Sequence, residues 1–185
     1  FLQFKLGKLF SAQVKNDYEL AKVSVGLSIF NNDSKKHAKN LITMTTIHSA
    51  LIASAIANKG IIYDPFLIRN IKSISPIGYD HHQNRIISNI KAPIIFNKIK
   101  NGMIRVVTDP GGTGKNSRVP FVQTAVKTGT AGKAKPYNSV LTGFFPANRP
   151  KYAFAFILEK SGPSKDRGAK FLKDFLIEFH NKDHQ

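Results

Sequence analysis

The chain reads as an α+β fold in which an antiparallel sheet of three C-terminal strands is covered by helices on both faces. Three observations predict it. Strand-like runs close the sequence at 121–131, 139–145 and 152–159, and helical periodicity marks 43–58, 92–107 and 165–180. The last strand is apolar on both sides, with Tyr152, Phe154, Phe156 and Leu158 alternating with Ala153, Ala155 and Ile157. A strand buried on both sides needs helices above and below its sheet.

Taken in order, residues 1–10 place apolar side chains at Phe1, Leu2, Phe4, Leu6, Leu9 and Phe10, which fits a helix tail ending near Gly7 or a packed connector. Residues 11–40 are polar and irregular, and 31–40, with Lys35, Lys36 and Lys39, reads as a loop. In 43–58 Ile47, Ala50, Leu51, Ser54 and Ala57 fall on one stripe, with Gly60 as the stop. Small residues there allow close packing, and His48 reads as a structural histidine. Asp64-Pro65 opens an extended segment over 66–74, which 85–87 can pair with as a small hairpin. His81-His82 between them reads as surface loop, because adjacent strand positions point to opposite faces and no third metal ligand is close.

The helix over 92–107 has Ile95, Ile99, Met103 and Val106 at helical spacing, with Pro93 in the first turn. Pro110, Gly111, Gly112 and Gly114 then break it. That turn lacks the Gly-x-x-x-x-Gly-Lys-Ser/Thr order and follows a helix, so it reads as a connecting turn and not a phosphate loop. Residues 146–150 join the last two strands. The final helix, 165–180, lines up Phe171, Leu172, Phe175, Leu176 and Phe179, with Ser164 as its candidate cap.

With 185 residues, 42% of them hydrophobic, the chain can bury one domain core. No run of about 18 apolar residues is present, so this sequence contains no membrane span. Zero cysteines exclude disulfides and thiolate metal sites. The net charge of +17 points to an anionic partner: nucleic acid, an anionic membrane surface, or a substrate bearing carboxylates. Nucleic acid is disfavoured, because the lysines are scattered and no aromatic residues interleave with them as stacking platforms.

The chemistry concentrates at Thr124-Ala125-Val126-Lys127-Thr128-Gly129-Thr130-Ala131. Alternation puts the hydroxyls of Thr128 and Thr130 on one face, about 7 Å apart, where both can donate to one carboxylate. Gly129 leaves the opposite face bare. Lys127 supplies a cation but alternates with Gly129, so a twist or the strand's edge must bring it to the threonines. Taken alone, the run also reads as a polar-topped sheet strand.

Lys127 to Thr130 resembles the third motif of the penicillin-recognising serine enzymes, whose set is Ser-x-x-Lys, Ser-x-Asn and Lys-Thr-Gly. Other stretches are similar to that family in the same order: Thr45-Thr46-Ile47-His48-Ser49-Ala50 with Ala57-Asn58-Lys59-Gly60; Met103-Ile104-Arg105-Val106-Val107 with Gly112-Thr113-Gly114; and Gly143-Phe144-Phe145-Pro146-Ala147 with the strand after it. The likeness is closest to the transpeptidase domain of a class B penicillin-binding protein. It implies an incomplete fold of the β-lactamase/transpeptidase type, with 1–185 the C-terminal portion of one such domain. The part carrying the nucleophile would be absent, since Ser88-Asn89-Ile90-Lys91 is a chance Ser-x-x-Lys in a polar stretch and no Ser-x-Asn occurs.

The resemblance further implies a peptidoglycan D,D-transpeptidase acting through a serine acyl-enzyme, with no cofactor and no metal. Lys127 and Thr130 would be catalytic, the latter through its backbone N–H as an oxyanion donor. Thr128, Gly129 and Thr130 would bind the substrate. Partners would be D-Ala-D-Ala stem peptides, β-lactams and cell-wall synthesis proteins, at the periplasmic face of a membrane-anchored parent. A β-lactamase or β-lactam sensor, or an inactive binding module of the same fold, shares the Lys-Thr-Gly strand and stands as the alternative.

Overall fold

The structure, a computed structural model, describes residues 44–66, 70–71, 79–80, 85–132 and 135–183. The chain divides into two compact units, Phe1–His48 and Ser49–Gln185, and of the first only 44–48 are described. The expectations for 1–10, 11–40 and His81-His82 lie outside the described residues.

Helix α1 spans Thr46–Ala57. Thr45 accepts the His48 N–H at 3.3 Å and pairs with His48 Nδ1 at 2.9 Å, an N-terminal cap that occupies the histidine locally. Its buried line runs through Ala53 and Ala55 instead of the expected stripe, and Ile47 is 37% exposed. The smallest side chains win because they let Ala53 pack with Ala125, Phe144 and Ala147. The helix stops at Gly60, whose φ of +103° suits glycine and whose absent Cβ would sit 2.2 Å from the Ile90 carbonyl oxygen.

Strand β1, Ile61–Tyr63, pairs antiparallel with β4, Ile86–Asn89. The hairpin partner of 85–87 is therefore 61–63 and not the segment 66–74 expected for it. Asp64 fixes the difference: its N–H donates to the Arg85 carbonyl at 2.8 Å and its carboxylate pairs with the Arg85 guanidinium at 3.0 Å. Within 66–74 the structure describes Phe66 and β2, Asn70–Ile71, which pairs with β3, Tyr79–Asp80.

Helix α2 spans Pro93–Thr108 with Pro93 in its first turn, as expected. Its buried residues are Phe96, Met103 and Val107, whereas Ile95 and Ile99 are 58% and 41% exposed. The Phe96 ring closes onto the space that Gly60 leaves open, so Phe96 is buried in place of Ile95, while Met103 of the expected stripe is buried.

The main sheet has the order β5-β6-β7, all antiparallel, with β5 Ala125–Ala131, β6 Asn138–Phe145 and β7 Tyr152–Leu158. Residues 121–124 fall outside the strand expected to include them. The Phe121 ring stacks on His180 at 4.1 Å, and the Gln123 carbonyl accepts the Ala147 N–H at 2.7 Å. Alternation divides the sheet into two faces. On one, Val126, Leu141 and Phe145 pack against Leu172 and Leu176 of α3, Ala169–Asp183. On the other, Ala125 and Phe144 meet Ala53 of α1 and Met103 of α2.

Helices thus cover both faces of the sheet. The strand buried on both sides is the central β6, where Leu141 and Phe144 are both 0% exposed. β7, expected in that role, is the last strand in the order and leaves Tyr152 and Ile157 about two-fifths exposed. Burial of Leu172 and Leu176 contributes about 2 kcal/mol each. An aromatic group of Phe145, Tyr152 and Phe179, with centroids 5.0–5.5 Å apart, extends the α3 face to the rim. No helix among the described residues is long and apolar enough to cross a membrane.

Candidate active site

β5 has β6 on one side and no strand on the other among the described residues. Along that open edge lies a cleft of about 470 Å³. Lys127, Thr128, Gly129 and Thr130 line it together, so the strand's edge brings the lysine to the threonines although alternation separates them. Lys127 is exposed and its Nζ donates to the Thr128 carbonyl at 2.5 Å. The lining residues include two lysines, Lys127 and Lys165, and no carboxylate. A cleft with hydroxyl donors, two cations and no acid is built for an anion.

Two further segments complete the cleft. One is the turn between α2 and β5, which supplies Thr113. Its hydroxyl oxygen lies 2.7 Å from that of Thr128. The turn is pressed onto the end of α2: the Gly114 N–H donates to the Val106 carbonyl at 2.9 Å, and a Cβ on Gly112 would stand 2.2 Å from the same oxygen. Arg118 closes the helix by donating to the Val107 and Thr108 carbonyls at 2.9 and 2.5 Å. The glycine-rich stretch is a connecting turn, as expected, but it also delivers a site hydroxyl. Thr113 was missed in the sequence, where a hydroxyl between two glycines was the available signal.

The other segment is the π-helical turn Ser164–Gly168 leading into α3, which supplies Ser164 and Lys165. Ser164 makes no side-chain cap for this helix. It is 1% exposed, and its hydroxyl accepts the Val140 N–H at 3.1 Å and donates to the Gly129 carbonyl. Gly129 and Val140 face each other across β5 and β6, so the serine joins the strand pair and leaves the helix uncapped. Its own N–H donates to Thr130 Oγ1 at 3.2 Å. The two flanking segments are linked, because Asn116 Nδ2 donates to the Lys165 carbonyl at 3.0 Å.

Gly129 is not demanded by the chain itself. A Cβ there would meet Val140 no closer than 3.6 Å, an ordinary contact. Ser88 lies on β4 opposite Ile62 and does not line the cleft. A second hollow, about 520 Å³, shares Thr113 but lies against the end of α2. Its charged groups, Arg105 and Asp109, satisfy each other at 2.9 Å, whereas Lys127 and Lys165 of the motif cleft have no carboxylate among the residues that line it. Among the described residues no cluster of His, Asp or Glu is placed to hold a metal ion.

Comparison with known proteins gives the family of the chain. The family model of the penicillin binding protein transpeptidase domain matches residues 3–176. The chain is 28% identical over 153 residues to the peptidoglycan D,D-transpeptidase MrdA of Acinetobacter baumannii, covering 73% of this chain and 22% of that one. The solved D,D-transpeptidase domain of an Eggerthella lenta peptidoglycan glycosyltransferase superposes with a TM-score of 0.74 at 21% identity, over 92% of this chain and 40% of that one. Penicillin-binding protein A of M. tuberculosis, solved as its imipenem acyl-enzyme, superposes with a TM-score of 0.67 at 22% identity, over 96% of this chain and 37% of that one. The chain therefore spans about a fifth of the curated relative and about two-fifths of these solved chains. Its fold is that of the β-lactamase/transpeptidase type, present in part, and the chain belongs to the penicillin-binding protein transpeptidase domain family.

Proposed function

We propose that residues 1–185 are the C-terminal portion of one penicillin-binding transpeptidase domain, and that the complete polypeptide is a peptidoglycan D,D-transpeptidase. The observation that carries this reading is the cleft on the open edge of β5, where Lys127, Thr128 and Thr130 converge without any acid. The nucleophile is supplied by polypeptide outside this sequence. Its serine Oγ attacks the penultimate D-Ala carbonyl of a stem peptide, the amide C–N bond breaks, and D-alanine leaves with a proton. An amine of a second strand then attacks the ester, forming the cross-link and releasing the serine. β-Lactams acylate the same serine.

In this scheme Lys127 is the electrostatic partner of the reacting groups, and Thr128 and Thr130 hold the terminal carboxylate. The Thr130 N–H points a dipole at the developing oxyanion. Gly129 leaves room for the substrate backbone to lie along β5 as an added strand. The site stands at the periplasmic face of a membrane-anchored parent, with stem peptides, β-lactams and cell-wall synthesis proteins as partners. The 185-residue chain alone transfers no acyl group.

The test is labelling of the complete polypeptide with a fluorescent penicillin. Lys127→Ala should slow labelling about a hundredfold, as loss of a transition-state contact does. Unchanged labelling in that variant would overturn the assignment of the cleft.

A further inference from the structure

We infer that Thr113 is a third hydroxyl of the anion site and controls how firmly Thr128 holds a carboxylate. The inference rests on the transpeptidase reading above and adds to it a residue from outside the Lys-Thr-Gly strand. Thr113 is exposed and lines the cleft, and its Oγ1 is 2.7 Å from that of Thr128. Each hydroxyl owns one proton. One is spent between the two oxygens, so the pair presents one proton to the cleft, carried by an oxygen that already accepts a hydrogen bond. Such an O–H···O–H···O⁻ chain polarises along its length, and its terminal donor is stronger than an isolated hydroxyl.

The partners around the pair leave that proton no acidic competitor, because the side chains lining the cleft include Lys127 and Lys165 and no carboxylate. The turn that carries Thr113 is held in place from several sides. The Gly112 N–H donates to the Asp109 carbonyl at 3.0 Å, Ser117 Oγ donates to the Gly114 carbonyl at 2.7 Å, and Asn116 binds the Lys165 carbonyl at 3.0 Å. A hydroxyl fixed this way orients its partner before a ligand arrives, so little ordering remains when the carboxylate binds. When a carboxylate takes the Thr128 proton, Thr113 is the donor between the two oxygens, and without it Thr128 keeps its proton but loses both its direction and its polarisation.

The experiment uses the complete polypeptide and two probes, a fluorescent penicillin with its free carboxylate and the methyl ester of the same compound. Thr113→Val should slow acylation by the acid about tenfold, the size of one hydrogen bond to a charged group, and change acylation by the ester less than about twofold. Thr113→Ser should restore the acid rate, and Thr113→Ala should repeat the valine result, which separates loss of the hydroxyl from any disturbance of the turn by the branched valine side chain. An equal loss on acid and ester, or no loss on either, would overturn the role given to Thr113 while leaving the transpeptidase reading intact. No labelling of the unsubstituted polypeptide would overturn that reading, and the inference with it.

Discussion

The main-chain N–H of Ser164 donates to the hydroxyl oxygen of Thr130 at 3.2 Å across 34 residues of chain. The first turn of the C-terminal helical segment is thereby bonded to the motif strand. The same serine bridges Gly129 and Val140 through its hydroxyl, so the backbone at Gly129–Thr130 is held from β6 and from the turn before α3. Because Ser164 spends its proton on the Gly129 carbonyl, the long 3.4 Å contact between the two hydroxyls has Thr130 as donor. That proton is weakly held and can turn to a ligand.

Ser164→Ala should therefore act on stability and on the site together. It removes the serine hydroxyl from the part-buried Val140 N–H and Gly129 carbonyl, a loss of about 1 kcal/mol. Urea unfolding of the complete polypeptide checks it, and a change below about 0.5 kcal/mol would contradict the bridging role.

Gly129→Ala separates folding from function. Its Cβ would meet nothing closer than 3.6 Å within the chain, so stability should shift by no more than about 1 kcal/mol. Acylation by penicillin should nevertheless fall about a hundredfold, because a ligand lying along β5 would be displaced by the methyl group. Equal penicillin acylation rates for the two proteins would show that nothing approaches the strand at this point.

Much of this arrangement was legible in the sequence because it depends on short-range periodicity. Period-two alternation gave β6 and β7 to within a residue or so, and the run Lys127 to Thr130 marked residues that line one cleft. Tertiary choices escaped it. Phe96 and Ile95 are adjacent and equally apolar, and only the empty space at Gly60 decides which one turns inward. Thr113 and Ser164 join the site through contacts spanning 15 and 34 residues, which no local pattern encodes. Ser164 looked like a helix cap because serine before a helix usually is one; here the strand pair competes for its hydroxyl and wins.

The α3 face should show a sharp contrast between neighbours. Leu172 is 0% exposed between Val126, Leu141 and the rest of that cluster, so Leu172→Ala should cost about 2–5 kcal/mol. Phe171 beside it is 43% exposed, and Phe171→Ala should cost less than about 2 kcal/mol. Denaturant midpoints of the two variants give the comparison directly.

Arg118 is expected to matter through the turn it holds. Its two bonds to the last carbonyls of α2 are worth about 1 kcal/mol, and Arg118→Ala should lower stability by that amount. Because the same turn carries Thr113, acylation by the free-carboxylate penicillin should fall as well. A stability loss with an unchanged acylation rate would detach the turn from the site.

The central claim is that this chain holds the Lys-Thr-Gly side of a serine acyl-transfer site whose nucleophile lies in polypeptide outside it. The most direct measurement is to expose the 185-residue chain and the complete polypeptide to the same fluorescent penicillin and quantify covalent label on each. The account predicts stoichiometric label on the complete polypeptide, abolished by Ser→Ala at its Ser-x-x-Lys nucleophile, and none on the 185-residue chain. Stoichiometric label on the 185-residue chain itself would contradict it and would make Ser88 the residue to examine.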